Sequence, residues 1–108
     1  MLRFIRGLLL RIRRRRKFTA LEYIDDKLTV MRSNTIYVLG DPYPWSILMV
    51  CPCGCGDYIE LNLIEELSPS WRYNIHPTGM VSIYPSVWHL EKCGAHFSVK
   101  EGMIHWHA

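Results

Sequence analysis

A chain of 108 residues has room for one domain with a modest core. No apolar stretch approaches the length of a bilayer-crossing helix, which excludes a helical membrane protein. The formal net charge of +3 conceals two unlike parts: residues 1–17 carry eight cations and no acid, while the remainder carries ten acids against five cations.

The first part is a basic arm. Leu2, Ile5, Leu9 and Ile12 share one face at helical spacing, with Phe4 and Leu8 along its edge. Arg3, Arg6, Arg13 and Arg14 lie largely opposite, and Arg11, Arg15, Arg16 and Lys17 complete the cationic set. This pattern predicts a basic amphipathic helix or arm over residues 1–17, followed by a domain over 18–108. The arm suits an apolar docking face, an anionic membrane surface or nucleic-acid phosphate, with a solvated tail as the plain alternative. Arg13–Lys17 also resembles a nuclear-localisation patch, a motif of little specificity. The apolar run Leu8–Leu10 is short and flanked by arginine, unlike a secretion signal, so a reducing cytoplasm is expected.

Strand patterns follow. Leu21–Ile24 reads as a short strand and Asp25-Asp26-Lys27 as a turn. Thr35–Leu39 is rich in β-branched and aromatic residues and is ended by Gly40-Asp41-Pro42. Trp45–Val50 runs as an apolar strand into Cys51-Pro52-Cys53-Gly54-Cys55-Gly56, and Tyr58–Leu63 alternates as a half-buried strand does. These two predict a hairpin with a cysteine-rich tip. Leu63–Leu67 suits one helical turn. Trp71–Ile75 and Met80–Tyr84 flank a turn at His76–Gly79, and Phe97–Val99 and Met103–Trp106 form a last hairpin about Lys100-Glu101-Gly102. Between them lies Cys93-Gly94-Ala95-His96.

All four cysteines fall in these two clusters. A tetrahedral zinc ion takes four soft or borderline ligands, delivered as two short chelating turns. Five donors compete for four places: Cys51, Cys53, Cys55, Cys93 and His96. Cys93 and His96 come first, joined by two of the three clustered cysteines; the remaining one packs beside the shell. Four protein ligands leave no open position, so the zinc is expected to be structural. A spare cysteine with His89 or His76 as base would be the thiol-enzyme alternative. His105 and His107 share one strand face and suit a second metal or a plain exposed pair. Trp45, Trp71, Trp88 and Trp106 read as core and rim residues, and Glu65-Glu66 and Asp25-Asp26 as solvated charge.

The fold expected is mainly β: a small zinc-stapled antiparallel sheet similar to zinc ribbons and rubredoxin-like folds. The motifs Trp45…Cys51-Pro52-Cys53-Gly54-Cys55-Gly56…Ile59-x-Leu61-Asn62-Leu63, Pro69-x-Trp71, Ser82-x-x-Pro85-Ser86-Val87, Cys93-x-x-His96-Phe97 and Gly102-x-Ile104-x-Trp106 resemble a bacterial and phage family known as domain of unknown function 6527. The resemblance covers about residues 35–106. It implies a gene context beside ThiF-type, ubiquitin-activating-like enzymes and a part in bacterial ubiquitin-like conjugation or antiviral defence. The expectation that follows is a non-enzymatic zinc-stabilised adaptor, ligase-like in bringing a carrier and a target together, with an activating-like enzyme or carrier protein as partner. A nucleic-acid-binding zinc protein that uses the arm, and a thiol-dependent transfer enzyme, are the alternatives.

Overall fold

The computed structural model describes residues 14–26 and 30–107. Eight strands form two four-stranded sheets: β1 (Ala20–Ile24), β2 (Thr35–Leu39), β3 (Ser46–Val50) and β4 (Tyr58–Asn62) in one, and β5 (Arg72–Ile75), β6 (Val81–Trp88), β7 (His96–Lys100) and β8 (Met103–Trp106) in the other. Each sheet is ordered as its strands occur in sequence. The amphipathic helix expected over residues 1–13 lies outside the described residues.

The mainly β class and the hairpins agree with the sequence pattern; the single antiparallel sheet does not. Strands divide between two sheets, and β1 runs parallel to β2. A parallel pair needs a crossover rather than a tight turn, and β1 and β2 are ten residues apart in sequence, with 25–26 and 30–34 described. Part of that crossover covers the outer face of the first sheet, where Met31 and Ile24 pack on Tyr37, Leu39 and Leu48, and the Arg32 N–H donates to the Tyr37 hydroxyl at 2.8 Å. This explains why β2 is buried throughout: Ile36 and Val38 point into the main core and Tyr37 and Leu39 into the smaller one. In β3, likewise, Ile47 and Met49 face the main core and Leu48 the outer one.

The main core unites the two sheets, with Ile36, Val38, Ile47, Met49 and Leu61 of the first cluster-packed with Val81, Ile83, Val87, Phe97 and Val99 of the second. The segment 63–71 joins the sheets. Its expected helical turn is instead a folded loop organised by Asn62, whose side-chain amide donates to the carbonyls of Ile64, Leu67 and Pro69.

Residues 14–18 are stitched to the domain. Lys17 bridges Met103, the Ile104 N–H donates to the Arg16 carbonyl, and the Phe18 N–H donates to Gly102. Gly102 has φ +79°, and a Cβ there would come within 2.7 Å of the Phe18 carbonyl oxygen, so the close approach requires glycine. Arg15 donates from its backbone to Pro52 and accepts from the Trp106 indole, and the Arg14 guanidinium lies 4.5 Å from the Trp106 ring centroid. Residues 14–17 therefore cover the β8 edge of the second sheet.

Candidate functional site

Two turns converge at one end of the sandwich. The β3–β4 turn carries Cys51, Cys53 and Cys55; the β6–β7 turn carries His89 and Cys93. The first is closed by the Cys51 N–H to Asp57, the second by the His89 N–H to Ala95 and the Gly94 N–H to His89. Cys51, Cys55, His89 and Cys93 offer ligand atoms that all lie within 4.8 Å of one another. Three thiols and an imidazole at that spacing suit a tetrahedral, thiophilic metal ion. Cys51 Sγ lies 3.5 Å from Cys93 Sγ, which lies 3.5 Å from His89 Nδ1. Cys53 stands beside this group, its sulfur 3.4 Å from that of Cys51.

Burial pushes the Cys51 thiol far above its ordinary value and that of Cys53 up to about 11. Burial also opposes the Cys93 thiolate, but the Ala95 backbone N–H and the thiols of Cys51, Cys53 and Cys55 donate to its sulfur. Together they hold Cys93 below the usual thiol range.

A second group of side chains begins immediately beside the β6–β7 turn. Ile83 pairs with Val99 and Val87 with Phe97, so Tyr84, Pro85 and Ser86 of β6 stand against Ser98 alone on β7. Such a bulge re-aims side chains. Here Ser86 Oγ lies 3.1 Å from His96 Nε2. The His96 ring is stacked on Trp88 (centroids 4.6 Å apart, planes 9° from parallel) and meets His107 on its other side at 4.6 Å. Two further serine–histidine contacts occur: Ser82 with His76 at 2.7 Å and Ser98 with His107 at 2.6 Å. His76 Nδ1 is 3.8 Å from Glu101, completing a triad-like row, but Ser82 is 1 % exposed and its oxygen already accepts the Glu101 N–H.

Residues 21–107 match the model of a family described as "Bacterial ubiquitination-like system serine protease (BubE)". The chain belongs to the BubE family. It is thereby a component of a bacterial ubiquitination-like system, the context implied by the resemblance noted in its sequence, although the matching family bears a different description. No curated protein and no solved structure matches it.

In this BubE-family chain, four of the five expected donors, Cys51, Cys53, Cys55 and Cys93, meet at one place, and His96 does not join them. His89 occupies the position expected of His96. The reason is local: His89 and Cys93 both lie in the turn, whereas His96 already belongs to β7, where it alternates with core-facing Phe97 and so points to the outer face. The sequence contains this signal as His89-x-x-x-Cys93. Ser86 is part of the Pro85-Ser86-Val87 motif, yet no sequence pattern places it against His96. Of the basic residues, Arg14–Lys17 are described and pack along β8; Arg3, Arg6, Arg11 and Arg13 lie outside the described residues. Among the described residues His105 and His107 belong to no group of three or more metal donors. No helix among the described residues is long and apolar enough to cross a membrane.

Proposed function

We propose that this chain is a serine peptidase of its ubiquitination-like system, with Ser86 as nucleophile and His96 as general base. The observation that carries this reading is the 3.1 Å contact between Ser86 Oγ and His96 Nε2 at a bulge, with the imidazole held flat against Trp88. In the reaction, Ser86 Oγ attacks the scissile carbonyl while its proton passes to His96 Nε2. His96 then returns that proton to the departing amine as the C–N bond breaks, leaving an ester on Ser86. A water attacks the ester, gives a proton to His96, and releases the carboxylic acid and the free serine. Ser82 is a weaker candidate because a buried hydroxyl that already accepts a backbone bond is closed to substrate. Ser98 faces the bulge from β7, in regular ladder with β8, and its partner His107 lacks the flat support that Trp88 gives His96.

The four-donor cluster is proposed to hold a zinc ion with Cys51, Cys55, His89 and Cys93 as ligands and Cys53 packed against the sulfurs. A closed shell of four leaves no position for substrate, so the ion's part is to fix the turn that sets Trp88 and His96 in register. This favours an enzyme over the non-enzymatic adaptor expected from sequence, because an adaptor has no use for a serine aligned on a buttressed imidazole.

The test is labelling of the intact chain with a fluorophosphonate, followed by peptide mapping, and hydrolysis of the ubiquitin-like protein of the same system. Ser86→Ala and His96→Ala should abolish both signals, while Ser82→Ala and Ser98→Ala leave the adduct on Ser86. An adduct elsewhere, or full hydrolysis by Ser86→Ala, would return the chain to the adaptor reading.

A further inference from the structure

Two clefts meet beside the dyad. One, of about 590 Å³, runs along β5 between Tyr23, Pro44 and the strand residues Tyr73 and Ile75. The other, of about 520 Å³, passes from Glu65 and Ser70 to Tyr84 and Pro85. They share Leu63, Trp71 and Arg72 and so adjoin as two parts of one groove, the second of which reaches Pro85, the residue preceding Ser86. Trp71 ties groove and dyad together: its indole donates to the Ser86 carbonyl at 3.2 Å.

The wall of this groove is a strand edge. The second sheet has two edges, β5 and β8. The β8 edge is covered by residues 14–17, and among the described residues β5 has no strand on its outer side. In the β5–β6 ladder the His76 N–H bonds to Met80, so the bonded pairs alternate through Asn74–Ser82 and Arg72–Tyr84. The N–H and C=O groups of Tyr73 and Ile75 therefore point away from β6, toward the open side. Trp71 has the same parity, and its N–H does reach outward, to the Asn62 carbonyl at 2.8 Å. Proteins ordinarily cover, charge or twist away such an edge. This one is short, is flanked by Tyr23, Trp71 and Tyr73, and runs toward Pro85, the neighbour of Ser86.

We infer that the β5 edge and its groove bind the extended C-terminal tail of the ubiquitin-like substrate as an added strand, carrying the scissile bond past Trp71 to Ser86. Tyr73 and Ile75 supply the main-chain bonds, and Tyr23, Pro44, Leu63 and Trp71 receive apolar side chains of the tail, the mode by which strand addition combines affinity with selectivity. The inference rests on the peptidase reading for the role of Ser86, and its test separates the two.

The probe is a fluorescein-labelled peptide of the C-terminal tail of the system's ubiquitin-like protein, titrated against the full-length Ser86→Ala chain by anisotropy. Ile75→Pro removes an outward N–H and no bond to β6, as proline is tolerated at an outward edge position. It should weaken binding at least about tenfold, while Ile75→Thr, which keeps that N–H, stays within about twofold. Amide hydrogen exchange needs no second variant: Tyr73 and Ile75 should become protected when peptide is added. Unchanged binding by Ile75→Pro together with unchanged exchange at these amides would overturn the inference, as would no binding at all. Protection that rises with protein concentration in the absence of peptide would assign the edge to a second copy instead. Fluorophosphonate labelling at Ser86 is read separately, so a chain that binds the tail but is never labelled sinks the peptidase and spares the groove.

Discussion

Replacing His89 by alanine leaves three thiols to hold an ion that takes four ligands, and the metal should be lost or its affinity cut by roughly a hundredfold. His96→Ala should retain one metal per chain and lose the acylated serine, since its ring meets Ser86, Trp88 and His107 and none of the sulfurs. Metal analysis after gel filtration reads both, and the opposite pattern would restore His96 to the shell. Cys53→Ser should keep its metal. Proton release offers a further check. Burial raises the Cys51 thiol far above neutrality, so coordination by its thiolate must expel a proton throughout the neutral range. Apparent affinity should therefore rise by at least about tenfold per pH unit between roughly pH 6 and 8. Cys93, held lower, adds less to that slope. Chelator competition across pH measures it, and a flat profile would exclude Cys51 as a ligand. The thiol cluster was legible because cysteines grouped in pairs of turns have few other uses. The choice between two histidines was not, because it depends on which residue ends the turn and which begins the strand.

At the scale of elements, residues 14–18 behave as part of the domain. Deleting residues 1–13 should leave the melting temperature nearly unchanged. Deleting 1–17 removes partners from the Ile104 N–H and the Trp106 indole. At about 1 kcal/mol for each bond, the loss should lower the melting temperature by about 10 °C. Equal melting of both truncations would show that the stitching contributes nothing. Phe18, fully buried among both sheets, should cost about 3–5 kcal/mol when cut to alanine. Strands β2, β3 and β4 could be read from sequence because β-branched runs and alternation report burial directly. The pairing of β1 could not: a strand's pattern says which face is apolar and is silent on direction, so a crossover and a hairpin look alike until the outer face of Tyr37 and Leu39 is seen covered. The bulge at Tyr84–Ser86 was hidden for a similar reason, since it exists only as a mismatch between two strands.

For the molecule as a whole, the proposed ion would make the donor cluster a cross-link between sheets. Cys51 and Cys55 belong to the first, His89 and Cys93 to the second. Closing a loop of this length by a covalent-strength tie restricts the unfolded chain by about 4 kcal/mol. Chelation should then lower the melting temperature by roughly 15–30 °C, and calorimetry with and without chelator decides it. A metal-stripped chain that melts as before would leave the core alone to hold the sheets together.

The order of the strands adds something else. Each sheet is contiguous in sequence; the loop at 63–71 joins β4 to β5, and residues 14–18 run from the β8 edge into β1. A gene cut at the exposed Glu65–Glu66 turn would therefore encode two half-proteins, each with one complete sheet and half of the metal's ligands. Co-expressed, they should assemble through the shared core and the 14–18 strip, and hold together more tightly with the ion supplied than with it withdrawn. The native chain would then be the fused form of a two-part assembly that its ion tightens.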